Sequence, residues 1–394
     1  MAITILATTD VHGFFPLEKD TSAGVFALKQ MKEQMDDPIL IDNGDFLIGS
    51  PYATFLNQDS LLMPFANELG FDVMVPGNHD FDYGVDFLLE QVQLFNGVYL
   101  CANAVTLTDE LLFEPYTIIE REGKKVAIIG LITSAMPQIS RFETISDVKF
   151  LDVIDTLKKW LPIVSEKADL IIVSYHGGIE CDMQTNKPTQ YDTGEDQAHR
   201  ILATFPNQID GLICGHQHRV NEGKAFGADF VQPGYQGQYI GKLTFTFDQK
   251  KVKGQSSLLE TQPFPKPYST VFKEADFQNW LTTTIDLNRF KDYLHHFFDE
   301  GYYAVSFKGS TIADILETFS PVYSLVQYHL TGQELKDSLK EISQQADLIK
   351  QLPEIISSEK DYRVLSNCSQ FPAYRIEKQY ITNVFDEFMH FLYE

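Results

Sequence analysis

The residues best suited to chemistry stand in the stretch Gly77-Asn78-His79-Asp80-Phe81-Asp82-Tyr83-Gly84. Asn78 offers an amide oxygen to a hard or borderline metal. His79 titrates near neutral pH and can give or take a proton. Asp82, three residues on, can hold the His79 ring in one tautomer by bonding its second nitrogen. The same kinds of side chain recur in four other places: Asp10 with His12, Asp45, His176, and His216 with His218. Together these stretches hold five of the ten histidines, a concentration that unrelated turns do not explain.

Each stretch follows an apolar run and abuts a glycine or a tight turn. Ile3 to Ala7 leads into Asp10 and His12, and Pro38 to Ile41 leads into Asp42-Asn43-Gly44-Asp45. Phe71 to Val75 leads into the Asn78 stretch, with glycines at both ends to let the backbone turn. Asp169 to Tyr175 ends in His176-Gly177-Gly178, and Ile209 to Cys214 runs into Gly215-His216-Gln217-His218. Short apolar runs bounded by such turns read as buried strands. A spacing of two, in Asp10/His12 and His216/His218, predicts side chains on one side of a strand end. Further strands are expected at Gly97 to Asn103, Lys124 to Thr133 and Lys242 to Phe247. Helices are expected at Ala23 to Met35, where Val25, Leu28, Met31 and Met35 form a core stripe, and at Leu61 to Gly70, Val85 to Phe95 and Gly194 to Phe205. This alternation describes an α/β domain, in which ligands gather at the carboxyl ends of strands.

The donors outnumber what one tetrahedral ion needs. They suit two divalent ions about 3.5–4 Å apart, sharing a carboxylate. Asp45, alone at its strand end, is the natural bridge. The mixed nitrogen and oxygen set suits Mn, Zn or Fe. Such a centre activates water and neutralises charge on phosphoryl oxygens. His79, with Asp82 to orient it, is the group placed to protonate a leaving alkoxide.

The chain has 394 residues, of which 44% are hydrophobic, enough for two packed domains. Three prolines at alternate positions in Gln262-Pro263-Phe264-Pro265-Lys266-Pro267 make a stiff linker. The organisation expected is a catalytic domain at 1–262, a linker at 263–268 and a smaller domain at 269–394. The last part is rich in Phe and Tyr and carries a capping-box signature, Thr331-Gly332-Gln333-Glu334, ahead of Leu335, Leu339 and Ile342 on one helix face. A net charge of -24 argues against a nucleic acid polymer and against an anionic membrane as partners. It leaves room for a small phosphoester at a metal. Cys101, Cys181, Cys214 and Cys368 are far apart and form no CxxC pair, so neither a disulfide framework nor a cysteine metal site is expected. The start has no basic and apolar leader pattern, and no run reaches membrane-spanning length. A cytoplasmic protein is the expectation.

The ordered set Asp-x-His, Gly-Asp, Gly-Asn-His-Asp, His-Gly-Gly and Gly-His-x-His resembles the calcineurin-like metallophosphoesterases. Asn78-His79-Asp80-Phe81-Asp82-Tyr83-Gly84 is similar to the Asn-His-Glu-Phe-Asp-Tyr-Gly signature of the 5′-nucleotidase branch, which includes 2′,3′-cyclic phosphodiesterases. Gly194-Glu195-Asp196-Gln197-Ala198 resembles its Gly-Glu-Asn-x-Ala segment, and Gln232-Pro233-Gly234-Tyr235-Gln236-Gly237 its Pro-Gly-x-x-Gly turn. The resemblance implies a layered β-sandwich flanked by helices, plus a smaller α/β domain, and an enzyme that hydrolyses small phosphoesters with two divalent ions. It implies one ion on Asp10, His12, Asp45 and His218, a second on Asp45, Asn78, His176 and His216, and a His79/Asp82 catalytic dyad. Asn103 matches a strand-end asparagine near the substrate. Ser310 to Leu316 and Val322 to Leu339 resemble parts of the family's substrate-binding domain. Two features depart from it. The family's Gly-Gly-x-Arg stretch, whose arginine meets substrate phosphate, is replaced by Gly301-Tyr302-Tyr303-Ala304-Val305, and its Gly-Gly-Asp-Gly-aromatic loop, which helps stack the base, by Ser366-Asn367-Cys368-Ser369-Gln370-Phe371-Pro372. Two other readings stay open. Sulfate thiohydrolases share the centre but are exported, and a binding protein without turnover would more often have lost donors.

Overall fold

The computed structural model describes residues 2–14, 25–248, 251–261, 269–271, 273–297, 302–307, 309–319, 325–342, 347–368, 370–372, 375–379 and 384–393. The chain divides into two compact units, Met1–Phe272 and Lys273–Glu394. The proline-rich stretch 262–268 lies outside the described residues.

The first unit is built on two six-stranded sheets. One has the order Lys251–Glu260, Tyr239–Asp248, Ala2–Thr8, Ile39–Asp42, Val73–Met74, Val98–Tyr99. Its last four strands run parallel. The other has the order Val220–Ala225, Ala228–Pro233, Gly211–Cys214, Leu170–His176, Lys124–Ile132, Tyr116–Arg121, with the inner four parallel. Alternation along each strand sends one set of side chains between the sheets. Ile3, Ile5, Ile39, Ile41 and Val73 meet Val126, Ile128, Leu170, Ile172 and Ile213 in a single buried cluster. The opposite face of the second sheet, through Ala127, Ile129, Leu131 and Val173, packs under the helices Val153–Ser165 and Ala198–Thr204. Parallel strands covered on both faces read as unbroken apolar runs, which is how they show in the sequence. The fold is the layered α/β sandwich expected.

Several element boundaries move. The helix expected at Ala23 to Met35 is seen over Phe26–Glu33. The helix expected from Gly194 begins only at Ala198. Gly194 sits at φ 77°, and the Glu180 carboxylate accepts the N–H groups of His199 and Arg200 at 3.0 and 2.8 Å, capping the helix there. A helix at Pro51–Asn57 was not anticipated. Ser50 caps it by accepting the Ala53 N–H at 3.2 Å, and proline occupies its first turn, as both residue types favour.

The second unit has a five-stranded sheet ordered Asp347–Gln351, Tyr303–Phe307, Asp361–Ser366, Val326–Thr331, Ile376–Gln379. The capping box forms as the sequence suggests. Glu334 accepts from the Thr331 N–H at 2.8 Å and Thr331 Oγ1 accepts from the Glu334 N–H at 3.3 Å, at the head of Gly332–Ile342. Much of the aromatic content is core: Phe290 stacks on Phe319 at 5.1 Å and meets Phe388 edge-on at 4.9 Å, all three fully buried. Tyr303 is buried as well. Asn367 uses both ends of its amide on the Ser306 backbone, tying the end of Asp361–Ser366 to Tyr303–Phe307. Among the described residues no helix is long and apolar enough to cross a membrane.

Candidate metal centre

All seven predicted metal-ligating side chains come together where the parallel strands of the two sheets end. They fall into two groups of donor atoms. Asp10, His12 and His218 form one, and Asp45, His176 and His216 the other. In the first, His12 Nε2 lies 3.1 Å from His218 Nε2, and His218 Nε2 lies 3.4 Å from Asp10 Oδ1. In the second, the Asn78 amide oxygen lies 3.2 Å from His176 Nε2 and 2.7 Å from His216 Nδ1. Asp45 Oδ2 stands between the groups, 3.3 Å from His176 Nε2 and 3.9 Å from His12 Nε2. The donor set fits a pair of divalent ions. Imidazole nitrogens, carboxylates and an amide oxygen face one another in a space that is buried except at His218, a mixed donor set suited to such ions.

The backbone, more than the strand pleat, aims these groups. Asp10, His12, Asp45, His216 and His218 all lie at positive φ, between 52° and 69°. That conformation is uncommon for residues other than glycine and persists only where surrounding contacts enforce it. The expectation that Asp10/His12 and His216/His218 pair by strand alternation is therefore corrected: both pairs sit in left-handed turns just past the strand ends. The enforcing contacts are visible. Asp10 N–H donates to Gly44 O at 2.9 Å, His12 N–H to Asp45 O at 2.7 Å and Gln236 N–H to Asp10 O at 2.8 Å. The His216 N–H donates to the Asp10 carboxylate at 2.9 Å, and Thr9 Oγ1 donates to it at 2.7 Å. Gly77 is also explained differently. It needs no special turn; a Cβ there would strike the Asp45 carboxylate.

The rings are fixed by their outward nitrogens. His12 Nδ1 donates to Ile48 O at 2.9 Å and His176 Nδ1 to Asn43 O at 2.7 Å, leaving both Nε2 atoms as acceptors toward the site. This is the usual arrangement for a metal-binding histidine. His216 is turned the other way. Its Nδ1 faces Asn78 and its Nε2 bonds Glu195 Oε1 at 2.5 Å, which holds the Glu195 carboxyl below its ordinary range. His218 stacks on Tyr235, with ring centres 4.8 Å apart and planes 5° from parallel.

His79 and Asp82 form the expected pair, with Nδ1 2.8 Å from Oδ2. They meet because His79–Phe81 is a 3₁₀ turn, in which residues i and i+3 eclipse. The His79 side chain is 46% exposed, so its Nε2 remains open to a ligand. Burial alone would depress His79, but the charges of Asp45 and Asp82 outweigh it and push the ring up to about 10. Asp80, between them, is a different kind of residue. Fully buried, its carboxylate accepts the N–H groups of Asp45 at 3.0 Å, Leu47 at 3.0 Å and Gly77 at 2.8 Å. It clamps the Asp45 loop to the Asn78 loop. Asn103 proves to be a tie as well. Completely buried, it donates to Ile132 O and Leu151 O and accepts from the Ile132 N–H. Its amide is directed at backbone.

Asp80, Asn43, Glu195 and Gln232 stand inside stretches the sequence singles out, but it assigns none of them a role of its own. Asn43 receives the Ser174 hydroxyl at 2.6 Å and donates to Tyr175 O, joining the two sheets. Gln232 donates to Gly215 O at 2.9 Å behind the histidine loop. Only their positions beside a candidate donor or inside a recurring motif could have marked them.

Residues 3–220 match the model of the calcineurin-like phosphoesterase family. The chain belongs to that family. The calcineurin-like phosphoesterases use divalent metals, in keeping with the two groups of donors. Among curated relatives, the chain is 27% identical over 305 residues to a 2′,3′-cyclic-nucleotide 2′-phosphodiesterase/3′-nucleotidase of Yersinia enterocolitica, covering 67% of this chain and 46% of the relative. It is 33% identical over 225 residues to a 5′-nucleotidase of Vibrio cholerae, covering 54% of this chain and 40% of the relative. The chain thus spans less than half the length of either. In three dimensions it is similar to a Staphylococcus aureus protein solved as a candidate 5′-nucleotidase, with a TM-score of 0.72 over 100% of this chain and 96% of that one at 21% identity. That likeness extends the shared fold to both units of this calcineurin-like phosphoesterase.

Proposed function

We propose that this chain is a two-metal hydrolase of small phosphoesters, nucleotides among them. The observation that carries the reading is the place of Asp45, whose Oδ2 faces His176 on one side and His12 on the other. Asp10, His12 and His218 would hold one ion. Asn78, His176 and His216 would hold the second, and Asp45 would be shared. When bound, such ions supply positive charge to phosphoryl oxygens and make water more acidic. The chain's own residues do the rest. Asp82 keeps the His79 Nδ1 proton in place, so Nε2 is presented to the leaving oxygen as a general acid. The relatives' named activities support a nucleotide phosphoester as substrate, and which of Mn, Zn or Fe is used follows availability more than affinity.

Base selectivity is weak in this reading, because the stretch standing where the family's base-binding loop would be ties strands through Asn367. The test is a screen of the full chain with added Mn²⁺ against p-nitrophenyl phosphate, 5′-AMP, GMP, UMP and CMP, cyclic nucleotides and nucleotide sugars. Hydrolysis that a chelator abolishes is expected. Discrimination among the four bases should stay under about 10²-fold, equivalent to ~2.7 kcal/mol. A chain that binds two ions and turns over no phosphoester would sink the proposal.

A further inference from the structure

The Gly194 to Gln197 segment is not part of the helix its sequence suggests, and its geometry shows why. The Glu195 carbonyl accepts the Thr133 hydroxyl at 2.6 Å and the Tyr175 phenol at 3.2 Å. Thr133 follows the end of one central strand and Tyr175 is fully buried. Gln197 donates to Gly194 O at 2.9 Å. Asp196 accepts from the Gly178 N–H at 2.6 Å and from the Gln217 amide at 2.8 Å, joining the segment to the loop that carries His216 and His218. A residue so held projects its carboxylate to one place, His216 Nε2.

Of His12, His176 and His216, whose outer nitrogens all have hydrogen-bond partners, His216 alone meets an anion. His12 and His176 meet neutral carbonyl oxygens. A carboxylate partner makes an imidazole a stronger electron donor and fixes its tautomer. Here that tautomer carries its proton on Nε2 and leaves Nδ1 as the acceptor beside Asn78.

We infer that Glu195 is a positioning residue for the Asp45, Asn78, His176 and His216 group, which makes that group bind its ion more tightly than the Asp10, His12 and His218 group. The inference rests on the two-metal reading above. Glu195 acts through His216.

The test is a Mn²⁺ titration of the full chain freed of metal, with unbound Mn²⁺ followed by its paramagnetic resonance signal. Wild type should take up two ions per chain in two steps. Glu195→Ala should weaken the tighter step by about 10–100-fold, the usual effect of removing such a partner, and leave the weaker step unchanged. Asn78→Ala, which removes a donor belonging to one group, should weaken that same step. Glu195→Gln keeps the side chain's size and an acceptor oxygen, so it guards against misfolding and should show a smaller loss of the same step at an unchanged Tm. Wild-type affinity for both ions in Glu195→Ala, equal losses in both steps, or loss in the step that Asn78→Ala spares would each overturn the inference while leaving the two-metal reading intact. A wild type that binds no ions would remove both.

Discussion

Replacing Asp80 tests whether the centre is held by its backbone. The carboxylate receives three buried N–H groups, two on Oδ2 from Asp45 and Gly77 and one on Oδ1 from Leu47. In Asp80→Asn one oxygen becomes an NH₂ group. The better amide orientation keeps the two bonds to Asp45 and Gly77 and turns a donor toward the Leu47 N–H. A hydrogen bond to a charged group is worth about 1.5–3 kcal/mol, and a buried group left unpaired costs about 1–3 kcal/mol. The substitution should therefore destabilise the first unit by about 2–4 kcal/mol, and Asp80→Ala, which frees all three donors, by more. Neither removes a metal donor. The effect on the centre is indirect: the Asp45 backbone loses its anchor, and Asp45 Oδ1, which accepts the His79 N–H at 2.8 Å, moves with it. Denaturant unfolding with chelator present isolates the stability term from metal binding. Metal content of the folded variant, measured in parallel, should fall below two ions per chain. A midpoint shift equivalent to less than about 0.5 kcal/mol, the range of an ordinary surface change, together with full metal content, would refute the clamp.

Asp45→Asn should empty at least one site by elemental analysis; an unchanged two ions per chain would show that Asp45 is not shared. His79→Asn should leave metal content unchanged and slow turnover by about 10²–10⁴-fold, most for substrates with poor leaving groups; loss of metal would make His79 a ligand instead. Asp42 is fully buried, and burial raises its carboxyl well above the ordinary range despite hydrogen bonds from Thr8 and Gly44. A raised acid favours the protonated folded state, so its contribution is complete below pH 4 and is lost as pH rises toward the folded value. In chelator, wild type should therefore lose stability relative to Asp42→Asn by up to about 1.4 kcal/mol per pH unit as pH rises from about 4 toward the folded value; parallel stability curves would exclude this. Glu180→Ala should cost about 1 kcal/mol, as loss of a helix cap does, with no change in metal content.

The sandwich was legible because its parallel strands are covered on both faces. Ile39-Leu40-Ile41 and Leu170 to Val173 are apolar without interruption, and only a buried strand of that length tolerates it. The donors were legible because each lies within a few residues of such a strand's carboxyl end. What the sequence did not disclose depends on contacts between distant segments. Asp80 looked like one more polar residue in a turn, since its partners Asp45 and Leu47 are more than 30 positions away. Gly77 looked like a turn glycine, although its role is to make room for Asp45. Asn103 carried the right residue type at a strand end, yet its amide is directed at backbone on neighbouring segments. Glu195 was hidden by a helical reading that failed because Gly194 and the Glu180 cap shift the helix start.

The bond between the His216 N–H and the Asp10 carboxylate joins residues 206 positions apart. It has a bearing on how the protein is made. A chain still on the ribosome with fewer than about 220 residues exposed lacks His216 and His218, and with them a donor from each group. Early segments carrying Asp10, His12, Asp45 and Asn78 can offer ions only loose, incomplete coordination. In the two-metal reading, full coordination would require both sheets to be in place, a non-local step in forming such a topology. Retained metal would then mark a closed first unit, and a chain ending before His216 would hold less of it.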